Sequence, residues 1–239
     1  CPGAAGMSQL PRDLIIAIDG PVAAGKTTAA RLLARRLGYC HIESGAMYRA
    51  LAWKAIKQGI DLSDPVALVN LLSQTALDLR PTAEEFVVLV DGEDVTDALR
   101  SPKMQAAASV LSVHASVREK LVEKQRELGA HGGVVMDGRD IGTVVFPDAA
   151  MKFYLTASLD ERGRRRFRES PQELGTIETT LEEVAKRDRR DTARVASPLK
   201  PAPNAILIDT TRLNPEEVVK QMEAEIHRTF KNARDISLA

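Results

Sequence analysis

Apolar positions follow two alternating rhythms along this chain. Leu14-Ile-Ile-Ala-Ile18 is unbroken and short, as in a strand buried on both faces. It is followed by Thr28–Gly38, where Leu32, Leu33 and Leu37 share one face at helical spacing. The alternation recurs. Tyr39–Ile42 predicts a second strand, and a helix capped by Ser44 follows through Met47, Leu51 and Ile56 to Gly59. Gly133–Met136 predicts a buried strand. Met151–Leu155 predicts another, before a helix capped by Ser158, and Ala205–Asp209 a core strand before a terminal helix after Asn214-Pro215. Strands alternating with helices predict an α/β fold, a parallel sheet flanked by helices. One block breaks the rhythm. A helix over 61–75, capped at Ser63 with Pro65 in its first turn, leads into Leu77–Arg80, Phe86–Val90 and a turn at Asp91-Gly92. Short antiparallel strands there mark an inserted subdomain spanning 61–104. Helical spacing returns over 102–128, breaking near Val113-His114-Ala115, and His114 reads as a solvated turn residue.

Composition narrows the classes. With 239 residues, 44% of them apolar, the chain can bury a full core with room for an insert. No apolar run approaches the ~20 residues of a membrane span. Lys+Arg and Asp+Glu both number 33, so the net charge is zero, and aromatics are 4%; both disfavour a general nucleic-acid binder. Cys1 and Cys40 form no disulfide framework, which fits a reducing cytoplasm. The leading CPGAAG lacks the charged and apolar regions of a signal peptide, and Met7 reads as the natural start.

Chemistry concentrates first at Gly20-Pro21-Val22-Ala23-Ala24-Gly25-Lys26-Thr27, with Thr28 next: G-x-x-x-x-G-K-[ST] between a predicted strand and a predicted helix. Backbone amides of such a loop converge on phosphates, Lys26 neutralises their charge, and the Thr27 hydroxyl can ligate Mg²⁺ held between them. A nucleoside triphosphate is the expected ligand. Arg49, one turn into the next helix, is a candidate for a second phosphate. Asp137-Gly-Arg139-Asp140 closes a strand where parallel sheets collect ligands, and Asp137 is a candidate for reaching Mg²⁺ through water. The run 161–168, ERGRRRFR, holds five arginines, and Lys186–Asp191 with Arg194 forms a second basic helix. The intervening Glu169–Glu178, with Pro171 and Gly175, reads as mobile. A solvated face and a nucleic-acid stripe compete here with an Arg-rich lid over 161–194 that closes on transferring phosphoryl oxygens. The hairpin form favours the lid.

Together the phosphate loop, Glu43-Ser-Gly-Ala-Met-Tyr-Arg49, Asp137-Gly-Arg-Asp-Ile-Gly-Thr-Val-Val-Phe-Pro147 and Arg187-Asp-Arg-Arg-Asp191 resemble the bacterial cytidylate kinases, from about Leu14 to the C-terminal helix. The resemblance implies a core, a monophosphate-binding insert and a lid, moving the γ-phosphoryl of ATP to CMP or dCMP with Mg²⁺. By position it implies that Ser44, Arg49 and Arg139 hold the acceptor, that Ser109, Arg118 and Asp140 face cytosine, and that Arg187, Asp191 and Arg194 serve the lid and acceptor. A monomer is expected, with neither nucleic acid nor membrane as partner. Ala23 departs from the family's usual second glycine, stiffening the loop but keeping its amides. Glu43 departs from the usual aspartate by one methylene. Rival readings fare worse: a GTPase-type switch lacks an [NT]-K-x-D motif, leaving kinases of other small acceptors such as UMP as the nearer alternative.

Overall fold

In a computed structural model of the chain, residues 11–81, 86–169, 171 and 175–237 are described. The leading CPGAAG, Met7 and Cys1 lie outside these, as do 170 and 172–174 within the stretch expected to be mobile. The apolar runs become β1 (Ile15–Asp19), β2 (Cys40–Glu43), β6 (Val134–Gly138), β7 (Met151–Thr156) and β8 (Ile206–Asp209), a parallel sheet in the order β2-β6-β1-β7-β8. The pleat sends successive side chains to opposite faces. Ala17, Val134 and Met136 join one core; Ile16, Ile18 and Val135 join the other, packed with α1 (Lys26–Leu37). The buried face of α1 is mainly alanine, with Leu33 fully buried, so the helix lies close to the sheet.

The first core is roofed by α2 (Ser44–Lys57), α3 (Pro65–Ser73), α4 (Pro102–Leu111) and α5 (Ala115–Gly129). Between α3 and α4, β3 (Leu77–Pro81), β4 (Phe86–Val90) and β5 (Glu93–Asp94) form a separate antiparallel sheet. Asp91 and Gly92 turn β4 into β5 at φ 53° and 84°, the left-handed pair that a tight hairpin requires. Late in the chain, α6 (Leu159–Glu169) and α7 (Ile177–Ala193) pack as a hairpin, and α8 (Pro215–Ser237) closes the second core.

Four local expectations are corrected. Ser44 does not cap α2; it is the first helical residue, Glu43 precedes it, and its hydroxyl donates instead to the Asp137 carbonyl at 2.8 Å. Asp64, not Ser63, caps α3, accepting from the Val66 and Ala67 amides at 3.0 Å, because a carboxylate next to Pro65 reaches both orphan donors. His114 is half-buried rather than solvated, its Nε2 2.9 Å from the Leu62 carbonyl. β8 is an edge strand rather than a core strand: Ile208 is buried but Leu207 stays 65% exposed.

Candidate active site

Parallel pairing brings the carboxyl ends of the strands level. Glu43 pairs with Asp137, and Asp19 with Gly138. From these ends the chain turns into its phosphate loop, into α2 and into the segment after β6. Gly20 makes the first turn possible, since a Cβ there would lie 2.0 Å from the Leu155 carbonyl oxygen. At Gly138 a Cβ would meet the Ser44 hydroxyl at 2.5 Å, a side-chain clash less severe than the backbone one at Gly20. A cavity of about 350 Å³ opens here. Val22, Ala23, Gly25, Lys26, Thr27 and Thr28 line one end; Gly20, Pro21 and Ala24 of the same loop do not line it. Ser44, Arg49, Ser109, Arg118, Asp137, Arg139, Asp140, Arg187, Asp191 and Arg194 line the rest.

At the loop end, Lys26 is buried and folds back to donate to the Pro21 carbonyl at 2.6 Å. Burial pushes its ammonium well below the ordinary lysine value, with Arg139 and Arg187 adding repulsion. Thr27 donates to Asp137 Oδ2 at 2.8 Å, and His41 Nε2 lies 2.7 Å from Oδ1. Burial alone would raise the Asp137 carboxyl; His41, Lys26 and Thr27 outweigh it and hold it below the usual range. Ala23 takes φ +58°, the left-handed region where glycine is the unstrained choice.

The far end is a lattice of ion pairs. Arg118 pairs with Asp140 inside the protein, and its guanidinium stands over the Tyr48 ring at 5.4 Å. Burial pushes the Tyr48 hydroxyl up to about 12. Arg139 donates to Asp191 Oδ2 at 2.9 Å, and Arg194 lies 3.0 Å from Oδ1. Burial opposes the Asp191 charge, but Arg139, Arg194 and Arg187 win and lower its pKa. The Glu43 carboxylate accepts from Arg49 at 2.8 Å. Burial, reinforced by Arg139, Arg166 and Arg49, pushes Arg187 down to about 9. Arg49, Arg118 and Arg187 each keep a buried Nε–H without a hydrogen-bond acceptor. Cations crowded together with unused donors are a built anion site.

None of the arginines of ERGRRRFR lines the cavity. Arg162 bonds the Val22 carbonyl at 3.3 Å and Asp188 of α7 at 2.6 Å; Arg165 bonds the Thr210 carbonyl at 2.6 Å. They tie the phosphate loop to the hairpin. The facing cations come from α7 and its end. Residues not foreseen include Tyr48, Gln105 and Arg100 at the wall, and Arg190, which donates to the Ser109 hydroxyl at 2.7 Å. Arg190 stood inside the basic run already singled out; Tyr48 and Gln105 carried no signal of their own.

A strand-loop-helix phosphate cradle facing a second cluster of cations across one cavity defines a P-loop kinase of the nucleoside monophosphate type. The cytidylate kinase family model matches residues 16–228. Cytidylate kinase from Geobacillus kaustophilus is 48% identical over 218 residues, covering 89% of this chain and 96% of its own. That from Pelotomaculum thermopropionicum is 50% identical over 215 residues, covering 88% and 95%. Among solved structures, shikimate kinase from Bacteroides thetaiotaomicron aligns at 13% identity and TM-score 0.46, covering 90% of this chain and 98% of that one. The chain belongs to the cytidylate kinase family.

Proposed function

We propose that this chain transfers the γ-phosphoryl group of ATP to CMP or dCMP, giving ADP with CDP or dCDP. The observation that carries the reading is the buried Arg118–Asp140 pair at the end of the cavity away from the phosphate loop. Cytosine presents an N4 amino donor beside N3 and O2 acceptors. A carboxylate matches the first and a guanidinium the second; uracil would set O4 against Asp140 and N3–H against Arg118.

The roles follow from position. The loop amides and Lys26 hold the donor phosphates, with Lys26 exchanging the Pro21 carbonyl for phosphate oxygens. Arg49, Arg139, Arg187 and Arg194 hold the acceptor phosphate and balance charge spreading over the transferring oxygens. Ser44 and Ser109 orient the acceptor, and Asp191 keeps Arg139 and Arg194 aimed. The segment 61–104 closes the acceptor side, and the hairpin over 161–194 serves as the lid.

Among the described residues no group of three or more His, Cys, Asp or Glu stands ready to hold a metal ion. Thr27 and Asp137, hard oxygen donors 2.8 Å apart, fit Mg²⁺ shared with a triphosphate. Such an ion would supply charge neutralisation between the phosphates. Among the described residues no helix is long and apolar enough to cross a membrane; a cytoplasmic monomer is the proposed state. ADP release with CMP, dCMP, UMP, AMP and GMP as acceptors tests the function. CMP and dCMP should lead, and equal rates with UMP would overturn the base assignment.

A further inference from the structure

Asp19 is the last residue of β1, and Gly20 begins the phosphate loop directly after it. Its side chain is 2% exposed and takes no part in the chemistry proposed above. Both carboxylate oxygens are spent on backbone. Oδ1 accepts from the Ile141 amide at 2.8 Å, and Oδ2 from the Gly142 amide at 2.7 Å. Those amides open the wide, π-helical turn Ile141–Val145, which closes back on the Asp140 carbonyl through the Val144 and Val145 amides at 2.9 and 3.1 Å. One carboxylate thus bolts the segment carrying Arg139 and Asp140 to the strand carrying the phosphate loop.

The charge is held there against its preference. Burial raises the carboxyl to about 6; the two amide bonds and Lys26 pull it down, while Asp140 pushes it up, and Tyr154 and Lys152 also stand near it. A folded-state value above the ordinary 3.8 means folding binds protons between about pH 4 and 6, so the ionised group costs stability at every higher pH.

We propose that Asp19 is a positioning residue that fixes the Arg139–Asp140 backbone relative to the phosphate loop, and so sets the acceptor against the donor. The idea rests on the kinase reading, and Asp19→Asn tests it. The amide keeps the shape but one oxygen, and turns its NH₂ toward the other backbone N–H. In ligand-free protein, exchange at the Ile141 and Gly142 amides should accelerate ~10-fold or more, the loss of one local hydrogen bond. In the kinase assay, KM for CMP should rise ~10-fold and the CMP/UMP preference should shrink, with KM for ATP within ~3-fold. The melting temperature at pH 7.5 should stay within a few degrees, since no charge is now buried.

Unchanged exchange at those amides would overturn the proposal. So would ATP and CMP constants rising in step, or loss of the fold in this isosteric variant, which would make Asp19 purely structural. If the wild type phosphorylates no cytidine nucleotide, the functional reading fails by itself; the exchange comparison, made without substrate, still decides whether the carboxylate holds the turn.

Discussion

The two ends of the cavity solve the problem of holding phosphate differently. At the donor end, one continuous stretch supplies backbone amides, one lysine and one hydroxyl, all oriented by the turn from β1 into α1. At the acceptor end, side chains arrive from α2, α4, α5, the segment after β6 and α7, already paired with one another. Backbone dipoles are fixed by the fold and need no second layer. Charged side chains need partners to hold them while the ligand is absent, and each pair resists being pulled apart. On the proposed function, the donor end is expected to be general and the acceptor end selective.

The contrast is tested most severely at Lys26. Lys26→Ala should lower turnover by ~10³-fold or more, because its charge is needed most as the γ-phosphoryl moves, while the fold survives. A folded variant with near-normal turnover would remove the phosphate loop from the chemistry.

Arg187 and Arg194 come next. Either alanine variant should lower the rate by ~10³-fold. Their stabilities should diverge. Arg187 is penalised by burial and then by neighbouring cations, so its removal should leave the melting temperature unmoved. Arg194 shares buried Asp191 with Arg139, so its loss should lower melting by a few degrees. Unchanged rates at saturating substrates would return both to a structural role.

Asp140→Ala addresses selectivity. Mispaired buried groups cost about 1–3 kcal/mol each, so CMP should exceed UMP by ~100-fold in kcat/KM in the wild type. The variant should lose most of that ratio, and a preserved ratio would exclude Asp140 as the base reader. The smallest effect belongs to Ala23→Gly. Relief of the left-handed strain, about 1 kcal/mol, is nearly offset by the entropy glycine adds to the unfolded chain. Urea unfolding should show a net change under about 1 kcal/mol, with ATP binding retained; a larger loss would show that the alanine side chain itself supports the loop.

What was legible in the sequence divides along the same line. The donor end is contiguous, so spacing alone revealed Gly20–Thr28, and the flanking β1 and α1 followed from periodicity. Arg118 and Asp140 are 22 positions apart and Arg139 and Asp191 are 52 apart, distances over which spacing carries no signal; the family resemblance alone gathered them. The misread positions fail for tertiary reasons. Ser44 has the composition of a cap but meets the Asp137 carbonyl; Leu207 has the look of core but lies on a sheet edge. In ERGRRRFR the charge pattern could not show that Arg162 and Arg165 bond carbonyls that only the folded chain brings near.

The zero net charge conceals an uneven field. Lys26, Arg49, Arg100, Arg118, Arg139, Arg187 and Arg194 line one cavity with Glu43, Asp137, Asp140, Glu169 and Asp191, so seven cations against five carboxylates leave it an excess of positive charge. Low-dielectric walls focus such a potential outward and draw anions in before contact. On the proposed function, capture of both nucleotides is expected to be a steered encounter. Added salt should slow it, lowering kcat/KM more than kcat, and inorganic phosphate or sulfate should compete at the same mouth.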